Sequence, residues 1–411
     1  MLRSEPNPAK SAPGIATLIL VTGLSTLSLN MFIPSLSKIA VSFSADYGLT
    51  SVSIAGYLGM TAILQIVIGP LSDRFGRRPV MLAGLLIFIV ASIGCLLATD
   101  IWTFLAFRMV QASVICGAAL APAIVRDMVP ARQAASLLGY ISMAMAVAPM
   151  LGPMFGGVLD EMFGWRASFV AFVTIGTLIF GLCWIDLGET NQHPSDTFAD
   201  QFATYPELLS SRRFWGYSLC MTFSTGAFYA FLAGVPLVAK ALFVMSTGTL
   251  GIYIGSITGG FFVGSFLSGR YAKRYHLTTL MIAGRVTACA GLSAGLAIFL
   301  AGYVHELFLF GATIFVGIGN GLTMPSTSVG AMSVRPRLAG SAAGLSGALT
   351  VAGGAIITFL TGVIINEQNG VYVLYAMMLA CSALGLLAAL AVGWLDHRDA
   401  RDQSPDSQQP H

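Results

Sequence analysis

Apolar residues dominate the chain in long, nearly continuous runs, and short polar clusters separate them. A helix that crosses the hydrocarbon of a bilayer needs roughly 20 mostly apolar residues. Twelve stretches meet that length: 14–37, 50–72, 79–98, 102–125, 135–159, 167–187, 214–237, 249–269, 278–301, 307–331, 339–364 and 371–395. The pattern predicts an all-α integral membrane protein with twelve transmembrane helices. The first stretch follows Lys10 and is longer than the apolar core of a secretory leader, so it is expected to stay as a mature helix. Most connections are short. The long one, 188–213, carries Pro194, Ser195, Asp196, Asp200, Pro206, Arg212 and Arg213. The expected organisation is a tail (1–13), a six-helix bundle (14–187), a linker (188–213), a second six-helix bundle (214–395) and a second tail (396–411).

Lysine and arginine placement predicts the orientation. With the N-terminus inside, sixteen of the 21 basic residues fall on the inner side. Only Lys38, Arg166 and Lys240 fall outside, and Arg108 and Arg285 lie within spans. Both termini are therefore expected in the cytoplasm, with the protein in a bacterial inner (plasma) membrane. The segment Ser72-Asp73-Arg74-Phe75-Gly76-Arg77-Arg78 closes the second span. Ser268-Gly269-Arg270-Tyr271-Ala272-Lys273-Arg274, 196 residues later, closes the eighth. Two halves repeated in this way form two pseudo-symmetric bundles, and they suit a transporter that rocks about a central site.

Composition narrows the classes. Charged residues are 9% and apolar residues 56%, against about 25% charged in a soluble domain. The net charge of +3 and the absence of a basic run with interleaved aromatics leave nucleic acid out as a partner. No Gly-Lys pair for a phosphate-binding loop occurs, which excludes an ATP-driven pump. The five histidines are scattered and none of the six cysteines forms a CxxC pair, so no metal, no cofactor and no enzymatic grouping is expected.

The longest motif is Gly69-Pro70-Leu71-Ser72-Asp73-Arg74-Phe75-Gly76-Arg77-Arg78-Pro79. Its glycines permit a tight turn. Asp73 can pair with Arg77 or Arg78, and Asp127 offers a second carboxylate, so the group can latch one conformational state and release another. In the fifth span, Ala148, Gly152 and Gly156 share one helical face, which allows close helix approach. Pro149 and Pro153 bend that helix, and with Gly156 and Gly157 they form a candidate hinge.

These residues resemble the signature loop of the major facilitator superfamily. Arg108-Met109-Val110-Gln111 is similar to its fourth-span RxxQ motif, and Ala148–Gly157 to its fifth-span antiporter motif. Gly164-Trp165-Arg166, Glu189-Thr190, Asn320, Pro325 and Ala339–Ala343 resemble the bicyclomycin/chloramphenicol-resistance (Bcr/CflA) branch of drug exporters. The resemblance implies the major facilitator fold and secondary-active export of small amphipathic compounds by alternating access, with proton antiport. The alternative on the same fold is a metabolite or organic-anion importer or facilitator. That branch usually carries an acid in the first span where this chain reads Asn30-Met31-Phe32-Ile33-Pro34. Asn cannot exchange a proton near neutral pH, and no other acid is expected at membrane depth. Coupling through Asp46, through the Asp73 and Asp127 cluster or through the substrate's own charge remains open, as does facilitated efflux without protons.

A charge inside a span is costly and marks function by default. Arg108 and Asn30 each lie about seven residues from the outer end of their spans, roughly 10 Å in at 1.5 Å per residue. They are expected to meet, joined by Gln111 and by Gln65 of the second span. Arg285, nearer the inner end of the ninth span, is expected to reach toward the cytoplasm, and Asn320 lies in the tenth span. Met31, Tyr57, Met109, Met145, Phe228 and Tyr229 are candidates for an adaptable apolar pocket. Two buried cations without a buried acid favour a neutral or anionic substrate. A monomer in the lipid bilayer is expected.

Overall fold

The computed structural model describes residues 13–128, 137, 141, 149, 151–191, 205–243, 245–271, 274–335 and 338–402. All regular structure among them is helical. Eleven helices are long and apolar enough to cross a bilayer: Ile15–Ser42, Tyr47–Phe75, Arg77–Leu97, Ile101–Val125, Arg166–Asp186, Arg212–Leu242, Thr247–Tyr271, Leu277–Leu300, Glu306–Ser333, Ser341–Ile364 and Gly370–Asp396. Residues 137, 141, 149 and 151–163, all helical, are the described part of the fifth span, which supplies the twelfth. The chain divides into two compact units, residues 1–200 with 246–255, and residues 201–245 with 256–411.

In the first unit, two spans are interrupted. The first is helical over Ile15–Asn30 and again over Leu36–Ser42, joined through a 3₁₀ turn at Ile33–Ser35. Pro34, which donates no backbone hydrogen bond, sits in that turn. The fourth is broken by a 3₁₀ segment, Gln111–Ile115, between Ile101–Val110 and Cys116–Met128. Short 3₁₀ stretches inside long helices mark hinges and strained positions. Aromatic rings fill the end of the unit away from the signature loop. Phe104, Trp165 and Phe169 stack edge-on at 5.4–5.8 Å, and Phe43 closes the group 5.5 Å from Trp165. The lipid-facing side is apolar, as Leu97 at 70% exposure illustrates.

The second unit packs through small residues. Gly317 lies against the Ile257 carbonyl, and Gly284 and Gly319 bring the ninth and tenth spans together backbone to backbone. Close approach of this kind replaces the hydrophobic driving force that lipid removes. Tyr217, Cys220, Met281, Ala331, Ala389 and Val392 form one core cluster. Arg213–Asp396 (3.1 Å) and Arg335–Glu207 (2.9 Å) tie its polar end. All six cysteines are free thiols, five of them buried.

Candidate functional site

The centre of the first unit is built on Arg108, which is fully buried. Its Nη2 donates to the Ser28 carbonyl at 2.7 Å, and Nη1 donates to Gln111 Oε1 and more weakly to Ser28 Oγ at 3.4 Å. Gln111 Nε2 donates to Ser92 Oγ (2.6 Å), and Ser92 donates on to the Phe88 carbonyl (2.7 Å). This chain of bonds runs from the first span through the fourth to the third and fixes the Gln111 amide. The guanidinium is stacked between two rings, 4.3 Å from the centroid of Phe32 and 4.2 Å from that of Tyr57. No carboxylate touches it among the described residues, and its Nε finds no acceptor.

Asn30 and Gln65 do not join this group. Ser28 and Phe32 are four residues apart and share a face of the first span, whereas Asn30 is two residues from each and faces the other way. Asn30 Nδ2 turns back to the Thr26 carbonyl (2.8 Å), and its Oδ1 is buried without a partner. Gln65 Oε1 is likewise unpartnered. The face that bears Asn30 meets the fifth span. A Cβ on Gly152 would stand 3.3 Å from that of Asn30, and one on Gly156 would overlap the Met31 carbonyl. Pro149 and Pro153 fall in the described residues of the same helix, and Gly157 packs on the Thr247 carbonyl.

The expected reach of Arg285 toward the cytoplasm is also corrected. It is fully buried in the second unit, where Nη2 donates to Asn320 Oδ1 (2.6 Å) and Nε to Thr323 Oγ1 (3.1 Å). Its remaining Nη1 has no partner. Asn320 and Thr323 are three residues apart on one face of the tenth span, and this acceptor pair holds the side chain inward.

The signature loop forms the network its sequence suggests. Arg77 pairs with Asp73 (2.5 Å) and Asp127 (3.2 Å) and donates to Ser72 Oγ. Thr190 donates to Asp127 (3.3 Å), and Asn191 Nδ2 donates to the Asp73 carbonyl (2.8 Å). The carboxylate of Glu189 accepts from the backbone N–H groups of Arg77 (2.9 Å), Arg78 (3.2 Å) and Asn191 (2.9 Å), so it caps the start of the third span. Gly76, at φ +97°, is required there. Its backbone is left-handed, and a Cβ would collide with Glu189. Arg78 bonds the Trp184 carbonyl (2.9 Å), Arg74 lies over the Phe75 ring, and Gly69 accepts from Ser72 Oγ (2.8 Å).

The pocket candidates belong to both units, each with its neighbours in its own. Met31 lines an apolar groove of about 590 Å³ among the first, fifth and sixth spans, with Leu20, Leu24, Phe155 and Ile175. Tyr57 stacks on Arg108, Met109 fills the space beside Gly56, and Phe228 and Tyr229 stack 5.8 Å apart, Tyr229 against Gly354. Met145 lies outside the described residues. Asp46, proposed from sequence as a coupling acid, caps the second span by accepting from Gly48 N (2.7 Å). The acid that sequence reasoning missed is Asp160. The apolar run stops at Leu159, but helix 151–163 continues one turn further and buries Asp160 to 2% exposure. Its signal was position. Asp160 is four residues beyond Gly156, on the face already known to be packed.

The Major Facilitator Superfamily model matches residues 18–358. The chain belongs to the Major Facilitator Superfamily. Among its relatives in this superfamily, Multidrug resistance protein D of Escherichia coli (strain K12) is 28% identical over 388 residues, covering 92% of this chain and 94% of that protein. The uncharacterized MFS-type transporter YdgK of Bacillus subtilis (strain 168) is 31% identical over 376 residues, covering 89% and 91%. The multidrug transporter MdfA of Yersinia pestis (strain Angola) is 29% identical over 278 residues, covering 67% and 68%. The fold is similar to that of a bacterial homologue of the human lysosomal transporter Spinster, with TM-score 0.75, 18% identity and coverage of 95% and 98%. It also resembles a D-xylose-proton symporter, with TM-score 0.70, 18% identity and coverage of 92% and 95%. This major facilitator is therefore a multi-pass membrane transporter with multidrug transporters among its relatives.

Proposed function

We propose that this major facilitator is a Bcr-type exporter of small amphipathic compounds. It works by alternating access, exchanges its cargo for protons, acts as a monomer, and has both termini in the cytoplasm. The observation that carries the reading is Arg108, buried between two aromatic rings with no acid among the described residues against it. A cation kept in an apolar bundle is expensive unless it does work, and its buried Nε–H has one hydrogen bond left to give an acceptor-bearing guest that displaces a ring. Its positive charge favours neutral or anionic cargo over cations. Arg285 adds a second such cation, and this favours the organic-anion facilitator as the alternative reading. The basic-residue asymmetry supports the orientation, and the Asp73–Arg77–Asp127 network supports a conformational latch on the inner side.

The test is efflux from proteoliposomes under an imposed pH gradient, an imposed voltage, or neither. Uphill efflux driven by the pH gradient is expected. Net uptake of organic anions that ignores the gradient would instead establish the facilitator. Asn30→Asp tests the first-span position. Asn30 donates to the Thr26 carbonyl, and a carboxyl can do so only when protonated. The variant should therefore show a new pH dependence of efflux, with activity falling as pH rises. An unchanged profile removes position 30 from the coupling path.

A further inference from the structure

Asp160 is the one acid among the described residues that is both buried and outside the signature-loop network. Among the described residues its carboxylate has one charged partner, Lys38 Nζ at 2.8 Å from Oδ2, and Oδ1 is buried without a hydrogen bond. The two ends of this pair differ, since the Lys38 side chain is 50% exposed and that of Asp160 is fully covered. The first and fifth spans run parallel. Gly152 lies against Asn30, Gly156 against Met31, and Asp160 meets Lys38 beyond the 3₁₀ turn, so contacts follow one another along the two spans. The contact that leads to the ion pair is thus backbone against small residues, which can part without repacking large side chains.

We propose that Asp160 is the proton-binding carboxylate of the transport cycle, and that Lys38 is the counter-ion it exchanges for the proton. The inference rests on the proton-exchange reading above. With the two spans in contact, the ammonium neutralises the carboxylate. When they part, Lys38 follows water, and Asp160 would be left as a lone buried anion. Taking a proton on one carboxylate oxygen makes it neutral, and releasing that proton re-forms the pair. The groups that face it are few. Lys38 comes from the first span. Glu161, next in sequence, is exposed and accepts from Gly248 N (3.2 Å). Thr247 lies within 3.5 Å of Lys38 Nζ and donates to the Gly157 carbonyl (3.3 Å). These residues, 246–255, group with the first unit. Arg166 is turned away, toward the carbonyls of Leu96 and Ala98.

The experiment has two arms on the purified full chain. The first is infrared titration of the protonated-carboxyl band in detergent, which needs no substrate. Wild type should show a buried carboxyl that titrates. Asp160→Asn should lose that band, and Lys38→Ala should alter it. An unaltered titration in Asp160→Asn overturns the proposal, whatever is found for transport. The second arm is efflux from proteoliposomes. Asp160→Asn should lose uphill, gradient-driven efflux by about tenfold or more while downhill efflux persists, because neutralising the site uncouples without blocking the path (a tenfold change is about 1.4 kcal/mol). Full gradient-driven efflux by the variant overturns the proposal and leaves the exporter reading standing. Wild type that moves no drug under any gradient removes the exporter reading, and the infrared arm still decides whether Asp160 binds the proton.

Discussion

Replacing Arg108 by Met separates a structural arginine from a functional one, because the two sides of its energy nearly cancel. The side chain makes two good charge-assisted hydrogen bonds, to the Ser28 carbonyl and to Gln111, worth about 1.5–3 kcal/mol each. Stacking against Phe32 and Tyr57 adds about 1–2 kcal/mol per desolvated face. Against this stands the desolvation of a guanidinium with no counter-ion, several kcal/mol, and an unpartnered buried Nε–H, about 1–3 kcal/mol. The balance closes to within about 3 kcal/mol, and Arg108→Met also strands the Ser28 carbonyl and Gln111 Oε1, so a destabilisation of about 1–3 kcal/mol is expected. Detergent thermal unfolding and efflux, read on one preparation, check it. The expected result is a modestly lowered unfolding midpoint with transport abolished. Arg108→Lys should fail to restore transport, because an ammonium cannot supply the planar fork that bonds Ser28 and Gln111 together while lying between two rings. A loss beyond about 4 kcal/mol, with residual transport tracking the folded fraction, would refute the reasoning and make Arg108 a packing residue.

Three further outcomes follow from the geometry. Gly156→Val should destabilise by about 1–3 kcal/mol, because its side chain would enter the Met31 carbonyl; thermal unfolding reads it, and a neutral effect means that the first and fifth spans do not touch there. Gly76→Ala should cost about 1–2 kcal/mol for the left-handed backbone alone, and Glu189→Ala should partly relieve the added clash, so a double-mutant cycle should show the two coupled. Asp100 accepts from the Thr103 N–H (2.9 Å) and hydroxyl, which hold its carboxyl below the usual range. Asp100→Ala should lower the thermal midpoint at neutral pH, and the difference should vanish as pH falls through the lowered titration of the native carboxyl.

The spans were readable from sequence because lipid imposes one demand on every residue of a helix, and length plus apolarity expresses it completely. Side-chain direction is a finer property. Arg108 and Asn30 have the same depth in their spans, but depth does not distinguish two faces of one helix, and Ser28 rather than Asn30 lies on the face that Arg108 reaches. The 3₁₀ turn around Pro34 was hinted at by the proline; the one at Gln111–Ile115, with no proline in it, was not. Arg285 looked close enough to the inner end to escape into water, but Asn320 and Thr323 on a neighbouring helix hold it, and sequence separation conceals such partners. The signature loop was the most legible site, since its partners Asp73 and Arg77 are local. Even there Glu189, more than a hundred residues away, supplies the cap.

The position of Asp160 bears on why Asn30 is tolerated. A carboxylate beside Arg108 would be held ionised by a cation that Ser28, Gln111 and two rings fix in place, whereas the half-exposed Lys38 ammonium can swing away from its partner. Lys38 lies ten residues beyond Ser28, past the 3₁₀ turn at Ile33–Ser35, and the Coulomb term falls with separation. Asp160, which Lys38 meets, is thereby removed from the field of Arg108. The same first span carries both contacts, Ser28 on Arg108 and Lys38 on Asp160, with the 3₁₀ turn at Ile33–Ser35 between them. A guest that shifts Arg108 pulls on the lower segment, and a proton that releases Lys38 frees the upper one. On this reading the interrupted helix, rather than a shared acid, couples cargo to proton. A first span straightened by Pro34→Ala should therefore weaken the pH dependence of efflux more than it weakens efflux itself.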